Sequence, residues 1–332
     1  MASLSSSPRV AVVGAGAVGC FFGGMLARAG TRVKLIGRPG TRSPGLGAIA
    51  RDGLRFDSVI FQERVALHVS SDPAAVGDAD IVLFAVKTID TETAARGIAA
   101  HLRPDAILIS LQNGIENEEQ IRAVLPSGAI VIPAVVFVAA ALPAPGHLIH
   151  GGRGDLVIGA GRVAPPAGAL ERIAAMFEAA SVPCRISQNI EGDLWFKLVW
   201  NCAGNAISAL GRSSYGLIGR VEPASELMAQ AAREVIAVAR AAGVKMPDVD
   251  PVEAGMKVAR SFGAATSSTS QDVERGRPTE IESLNGVVVR RGAALGVPTP
   301  VNRALWALVK LLDASNAERR QEAAAKPGAG SA

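Results

Sequence analysis

From Arg9 onward, short runs of Val, Ile, Leu and Ala alternate with stretches whose apolar residues recur every three or four positions. The runs predict strands at 9–13, 32–36, 65–69, Ile81 to Val86, Ala106 to Leu111 and Ile130 to Val138. A helix is expected over 17–29, with further helices between several of the strands. Unalternated apolar runs suit strands buried on both faces, so the pattern points to a parallel sheet covered by helices. The Gly-rich stretch His147 to Gly161 is expected to add a hairpin, and Val182 to Ile186 closes this half.

After about residue 189 the strand pattern stops. Helical periodicity follows at 190–210, 223–242, 250–262, 268–275, 279–295 and 300–313. The second of these opens on Pro223 and stops at Gly243, where a first-turn proline and a C-terminal glycine belong. Leu227, Ala231, Val235 and Val238 form its apolar stripe. The polar tail from Ala317 and the Ser-rich residues 1–7 are expected to lack order. The chain therefore reads as α/β in three parts. A Rossmann-like doubly wound domain spans 8–188, an all-helical domain spans 189–315 with a cleft between the two, and a disordered tail spans 316–332.

The 332 residues, 49% of them hydrophobic, suffice for two cores. Net charge is only +4, no basic run exceeds the doublets Arg290-Arg291 and Arg319-Arg320, and aromatic content is 4%. A nucleic-acid groove needs clustered cations and stacking rings, so that partner is not expected, whereas an anionic small molecule suits the mild positive excess. Cysteines at 20, 184 and 202 are odd in number and lack CxxC spacing, which argues against disulfides and zinc and fits a reducing cytoplasm. The uncharged run Val10 to Ala27 resembles a membrane span by hydropathy alone. Its glycines at 14, 16, 19, 23 and 24 fit a strand, tight turn and buried helix better. Ala129 to Leu142, with Pro133 inside, reads as a buried strand and turn. No membrane association is expected.

Gly14-Ala15-Gly16-Ala17-Val18-Gly19 follows the first strand directly and opens a helix, the context in which GxGxxG carries meaning. Gly14 permits the turn, Gly16 lets a pyrophosphate approach backbone N–H groups, and Gly19 lets helix pack on strand. The second strand ends not in the acid of an NAD site but in Gly37-Arg38, with Arg42 close by. A guanidinium there suits the 2′-phosphate of NADPH, the alternative being a solvated arginine. Lys87 and Asn113 each follow a strand at its C-terminal end, the edge where doubly wound sheets bind ligands; either could instead cap a loop.

In the helical half, Lys197, Asn201 and Asn205 recur every four residues and share one stripe of a mostly apolar helix. A core helix tolerates such a line when something polar lies against it; an exposed polar face is the other reading. All four histidines lie in the first half, and the only tyrosine, Tyr215, has Gly219 four residues on, which removes a Tyr-x-x-x-Lys pair. Lys197 is then the best proton donor for a carbonyl oxygen, its pKa drawn by partial burial from the usual ~10.4 toward neutrality. Glu280 could hold that ammonium and accept from a substrate hydroxyl, or the two could form a structural ion pair. Ser267-Ser268 could be a helix cap or present hydroxyls to a carboxylate.

Taken in order, Gly14 to Gly19, Val86-Lys87, Leu111-Gln112-Asn113-Gly114, Trp195 to Cys202, Ser267-Ser268 and Gly276 to Gly286 resemble the ketopantoate reductase (2-dehydropantoate 2-reductase) family from about Arg9 to Asp313. The resemblance implies NADPH-dependent reduction of 2-dehydropantoate to (R)-pantoate on the route to pantothenate and coenzyme A. It implies Lys197 as proton donor and Glu280 in contact with cofactor and substrate hydroxyl. Asn113 would touch both ligands, and Asn201, Asn205 and Ser268 the substrate's hydroxyl and carboxylate. Arg38 and Lys87 would lie on the cofactor side, and a Phe137 to Ala140 turn, with Ala140, by the nicotinamide. Two departures bear on specificity: Ala265 replaces an asparagine often found three residues before Ser268, and Tyr215 stands where some members have asparagine. The loop after Arg38 also looks a few residues longer than usual. Two other readings stay open, a same-fold enzyme for another branched 2-oxo acid or D-2-hydroxy acid and a non-catalytic NADP(H) sensor. Lys197 with Glu280 argues against the latter. A homodimer stays open too, since helical surfaces that pair look like solvent faces in sequence.

Overall fold

Alternate residues of the first strand explain why its sheet is covered on both faces. Val10 and Val12 join a core with Phe21, Phe22, Leu35, Leu83 and Ile109. Ala11 and Val13 join a second core with Val82, Phe84, Ile98 and Ile121. Period-two alternation sends neighbours to opposite faces, so an unbroken apolar strand needs two cores. The computed structural model describes residues 8–38, 44–248, 250 and 263–325, in two units, Met1–Ile190 and Glu191–Ala332.

The described strands of the first unit are β1 (Arg9–Val13), β2 (Arg32–Ile36), β3 (Leu54–Ser58), β4 (Gln62–Val65), β5 (His68–Ser70), β6 (Ile81–Phe84), β7 (Ile107–Ser110), β8 (Ile130–Ala144), β9 (His147–Ile158) and β10 (Cys184–Ile186). They form one sheet in the order β4-β3-β9-β8-β7-β6-β1-β2-β5, with β10 beside β9. From β5 through β2, β1, β6 and β7 to β8 all neighbours are parallel. The described helices here are α1 (Ala17–Arg28), α2 (Pro44–Asp52), α3 (Thr91–Ala99), α4 (Asn117–Arg122) and α5 (Ala169–Ala179). The doubly wound centre is therefore as expected.

Beyond β8 the pattern departs from expectation. β9 runs antiparallel to β8, and the hairpin turns at Pro145-Gly146, with Gly146 at φ 69°, rather than inside His147 to Gly161. Phe137 to Ala140 is not a turn: it belongs to β8, whose register against β9 shifts between Phe137 and Val138 and again between Ala139 and Ala140. Such bulges bend a strand without ending it, and they are invisible in a run of Val and Ala. The strand expected at 65–69 is split between β4 and β5.

The second unit holds α6 (Ile190–Leu210), α7 (Tyr215–Ile218), α8 (Glu222–Ala241), α9 (Ser268–Glu274), α10 (Asn285–Leu295) and α11 (Pro300–Ala325). The helix expected over 250–262 lies outside the described residues apart from its first position. Residues 279–295 do not form one helix: a 3-10 turn at Ile281–Ser283 precedes α10. Residues 316–325, assigned by composition to the disordered tail, continue α11. Ala, Glu, Arg and Gln are strong helix formers, and the helix is anchored where Asn316 Nδ2 donates to Val273 O at 3.2 Å. Fully buried Asn285 and Asn302 organise the unit. Asn285 Nδ2 donates to Cys202 O (3.1 Å) and Asn302 Oδ1 (3.0 Å). The Glu234 carboxylate caps α11 by accepting from the N–H groups of Val301 and Asn302, each at 2.9 Å. None of the described helices is long and apolar enough to cross a membrane.

Candidate active site

The loop between β1 and α1 is built by three glycines with three different constraints. Gly14 sits at φ +111°, and a Cβ there would stand 2.6 Å from the Ala85 backbone. Its N–H donates to Ile36 O at 2.8 Å, so the turn is pinned between the ends of β2 and β6. A Cβ on Gly19 would lie 2.0 Å from Gly14 O, which is how closely helix and turn approach. Gly16 is exposed, and a Cβ on it would meet nothing within 4 Å. It precedes α1 without any side-chain cap, leaving the first-turn N–H groups facing an open surface. Ala15, Ala17 and Val18 are half-buried against the core. An open backbone cradle at the start of a twelve-residue helix fits a pyrophosphate, by N–H donation and by the helix dipole.

Around it, at the carboxyl edge of the sheet, stand the other residues expected on the cofactor side. Arg38, two residues beyond β2, is exposed and pairs with Asp90 at 2.9 Å. Sequence reading missed this carboxylate. Arg42 lies outside the described residues. Lys87 is exposed and opens the 3-10 turn Thr88–Asp90. Asn113 is half-buried, and its carbonyl accepts from Asn117 Nδ2 at 2.7 Å. Buried Gln112, unremarked in the sequence beyond its motif, donates to Val86 O (3.1 Å) and Thr91 Oγ1 (2.7 Å). It locks the segment after β7 to the segment after β6, and so holds Lys87 and Asn113 in place. Ala140 is half-buried in β8 and packs on the core.

In the second unit, Lys197, Asn201 and Asn205 do share one face of α6. The first two are half-buried, and Asn205 is 3% exposed. The stripe thus enters the interior rather than lying on an exposed polar face; Trp195 and Leu198, at 1% exposure each, face the core. Glu280 is buried between two anchored neighbours. Thr279 donates through Oγ1 to Asp313 (2.7 Å), and Asn285 reaches Cys202 O on α6. The Thr279 to Asn285 segment is therefore tied to the helix that carries Lys197. Ser268, the expected carboxylate contact, is exposed at the start of α9. The cap is Ser267, whose Oγ accepts from Ser270 N at 2.9 Å and donates to Asn205 O at 3.0 Å. Asn205 is not wholly available to a ligand either: Tyr215 Oη donates to its Oδ1 at 2.7 Å.

The cysteines take no part in this chemistry. All three are buried and unpaired, and burial pushes the Cys20 and Cys184 thiols up to about 12, where a thiolate nucleophile is unpopulated at neutral pH.

A glycine cradle at the edge of a doubly wound sheet, with a half-buried lysine and a buried glutamate and amide in a helical unit, defines a dinucleotide-dependent oxidoreductase. Residues 10–162 match the family described as ketopantoate reductase PanE/ApbA, and residues 189–313 match its C-terminal domain. The chain belongs to the ketopantoate reductase family. It is 36% identical to a 2-dehydropantoate 2-reductase of Pyrobaculum aerophilum, over 90% of this chain and 96% of that one. It is 33% identical to that of Halobacterium salinarum, covering 91% and 98%. Among solved structures, a PanE/ApbA family ketopantoate reductase from Ralstonia eutropha JMP134 superposes with TM-score 0.85 at 46% identity, over 93% of this chain and 99% of that one.

Proposed function

We propose that this chain reduces 2-dehydropantoate to (R)-pantoate with NADPH, serving pantothenate and coenzyme A synthesis in the cytoplasm. The observation that carries the reading is the buried face of α6, where a lysine and two amides converge while a buried carboxylate is tied to the same helix. Binding a dinucleotide needs none of these groups; completing a carbonyl reduction needs a proton donor and a substrate grip.

When bound, NADPH supplies the hydride that adds to C2 of the 2-oxo acid. Gly14 to Gly19 would hold its pyrophosphate by backbone N–H groups, and Arg38, which shares its charge with Asp90, would meet the 2′-phosphate. Lys87 and Asn113, fixed by Gln112, would line the cofactor side, and Ala140 on bulged β8 would face the nicotinamide. Lys197 gives its Nζ proton to the C2 oxygen as negative charge develops there. Glu280 orients that ammonium and accepts from the substrate hydroxyl. Asn201 and Asn205 recognise the hydroxyl, and Ser268, exposed at the start of α9, meets the carboxylate. The active species is a homodimer or monomer acting on a free small molecule.

The test is a panel of 2-oxo acids with NADPH oxidation followed by absorbance. A site built to hydrogen-bond a hydroxyl rejects analogues lacking it, because its own polar groups are left unpaired. 2-Dehydropantoate should therefore exceed 2-oxoisovalerate in kcat/KM by about tenfold or more. Ala265 removes one amide from the frame, so the ratio should fall short of what a full polar set would give. Equal efficiency on the two acids would transfer the assignment to a general branched 2-oxo acid reductase.

A further inference from the structure

We propose that Tyr215 is a positioning residue for substrate recognition: its hydroxyl fixes the Asn205 amide so that Asn205 offers the substrate N–H donors and no acceptor. The inference rests on the reading of Asn205 as a substrate contact and deepens it by stating which chemistry that contact accepts.

An asparagine amide has one oxygen acceptor and two N–H donors, and in solution it can present either end. Asn205 has lost that freedom. Its Oδ1 receives the Tyr215 hydroxyl at 2.7 Å, and its backbone carbonyl receives Ser267 Oγ at 3.0 Å. No described group accepts from its Nδ2, and that nitrogen is not sealed among the buried atoms left without a partner. Asn205 is 3% exposed, so a flip would turn Nδ2 toward Tyr215 Oη and break the 2.7 Å bond that the phenol donates to Oδ1, in a place where a lost hydrogen bond is costly.

The tyrosine is itself rigidly placed. It opens α7 behind Ser214, whose hydroxyl accepts from Leu217 N. Tyr215 N donates to Ala265 O (3.0 Å) and Gly216 N to Gly263 O (3.1 Å). Gly204, one residue before the amide, makes room for the ring: a Cβ there would stand 2.7 Å from Tyr215 Cε1. Burial pushes the phenol far above its ordinary range, so the group remains a neutral donor throughout the working pH range. The same residue thus orients Asn205 and pins the 263–265 segment that leads to Ser268. Ser267 N adds a second tie by donating to Ser208 Oγ on α6 at 3.2 Å.

An amide held this way pairs with a hydroxyl or ether oxygen, a carbonyl or a carboxylate, and rejects a substrate presenting only N–H groups. The 2-dehydropantoate hydroxyl is met as an acceptor, which leaves its proton for another group.

The experiment compares the wild-type enzyme with Tyr215→Phe, Asn205→Asp, Asn205→Ala and Tyr215→Phe/Asn205→Ala. It measures KM and kcat on 2-dehydropantoate, the NADPH dissociation constant by fluorescence, and folding by circular dichroism. Phe keeps the ring beside Gly204 and removes only the oxygen. Tyr215→Phe should raise KM about tenfold, with kcat and NADPH affinity within about twofold. It should add nothing in the Asn205→Ala background, because coupling through a shared partner is non-additive. Asn205→Asp keeps the acceptor for Tyr215 but removes the donors, so its KM should rise at least as far as that of Asn205→Ala. An unchanged KM in Tyr215→Phe, additive losses in the double variant, or an Asp variant as good as wild type would each overturn the proposal. If Tyr215→Phe fails to fold, the Asn205→Asp comparison decides alone. A wild-type enzyme that binds NADPH yet reduces no 2-oxo acid overturns the functional reading, and this proposal with it.

Discussion

The glycine loop of the first unit and the polar face of α6 in the second are built on opposite principles. The loop works through absent side chains. Six consecutive residues carry it, and its shape depends on what a Cβ would strike: backbone at Gly14 and Gly19, open space at Gly16. The α6 face works through side chains that distant segments hold in place. Asn205 is gripped by Tyr215 ten residues on and by Ser267, and Cys202 by Asn285. The loop should therefore fail when atoms are added and the face when atoms are removed.

The largest effect is expected from removal. Lys197→Ala should lower kcat by about a hundredfold or more, since general-acid help is typically worth 10²–10⁴, with NADPH affinity retained. Single-turnover kinetics beside a fluorescence titration separate the two quantities. A near-normal kcat would give Lys197 a structural role and dissolve the contrast.

Arg38 is a cofactor-side residue that works through its side chain, and so it is expected to behave like the α6 face. Arg38→Ala should cut the NADPH over NADH preference by roughly ten- to a hundredfold, the worth of one charge-assisted contact. Since Asp90 already holds that guanidinium at 2.9 Å in an exposed setting, the lower figure is the better expectation. An unchanged ratio of kcat/KM would remove Arg38 from the site.

Addition is tested at two glycines. Gly16→Ala places a methyl group in open space and should leave the melting temperature unchanged while weakening NADPH about tenfold, or ~1.4 kcal/mol. Gly19→Ala meets Gly14 O and should lower the melting temperature itself. Equal behaviour of the two variants in thermal denaturation and titration would show that the loop does not divide cradle from packing as described.

The smallest effect concerns the first unit's scaffold and its pH dependence. Asp80 accepts from Arg9 through both guanidinium (3.1 Å) and backbone N–H (2.9 Å), and the guanidinium bond above all holds its carboxyl below the usual range. A depressed folded pKa contributes stability that is complete above the unfolded value, ~3.9, and fades as pH falls through the folded one. Asp80→Asn should cost about 0.5–1 kcal/mol at neutral pH, the range for a partly exposed pair. Denaturant titrations should show that deficit closing below about pH 4. A pH-independent difference would exclude the ion pair as its cause.

Local sequence alone determined much of this protein. Unalternated Val/Ile runs specified the doubly wound sheet, because strand burial on both faces leaves no polar period. GxGxxG after a strand specified the cradle, because its geometry is a matter of backbone freedom within six residues. Four-residue spacing put Lys197, Asn201 and Asn205 on one face, because a helix's period is known in advance. What required the tertiary structure is whatever depends on partners far apart in the chain. The bulges that keep Phe137 to Ala140 in β8 arise only when β9 pairs with it. The helix through residue 325 holds on to Val273 and its neighbours, contacts that composition does not contain. Asp90 became relevant only where the chain brought it beside Arg38. Tyr215, a departure from pattern in the sequence, is a structural node because its hydroxyl reaches Asn205, and hydrogen bonds between side chains depend on distance in space and leave no period in the sequence.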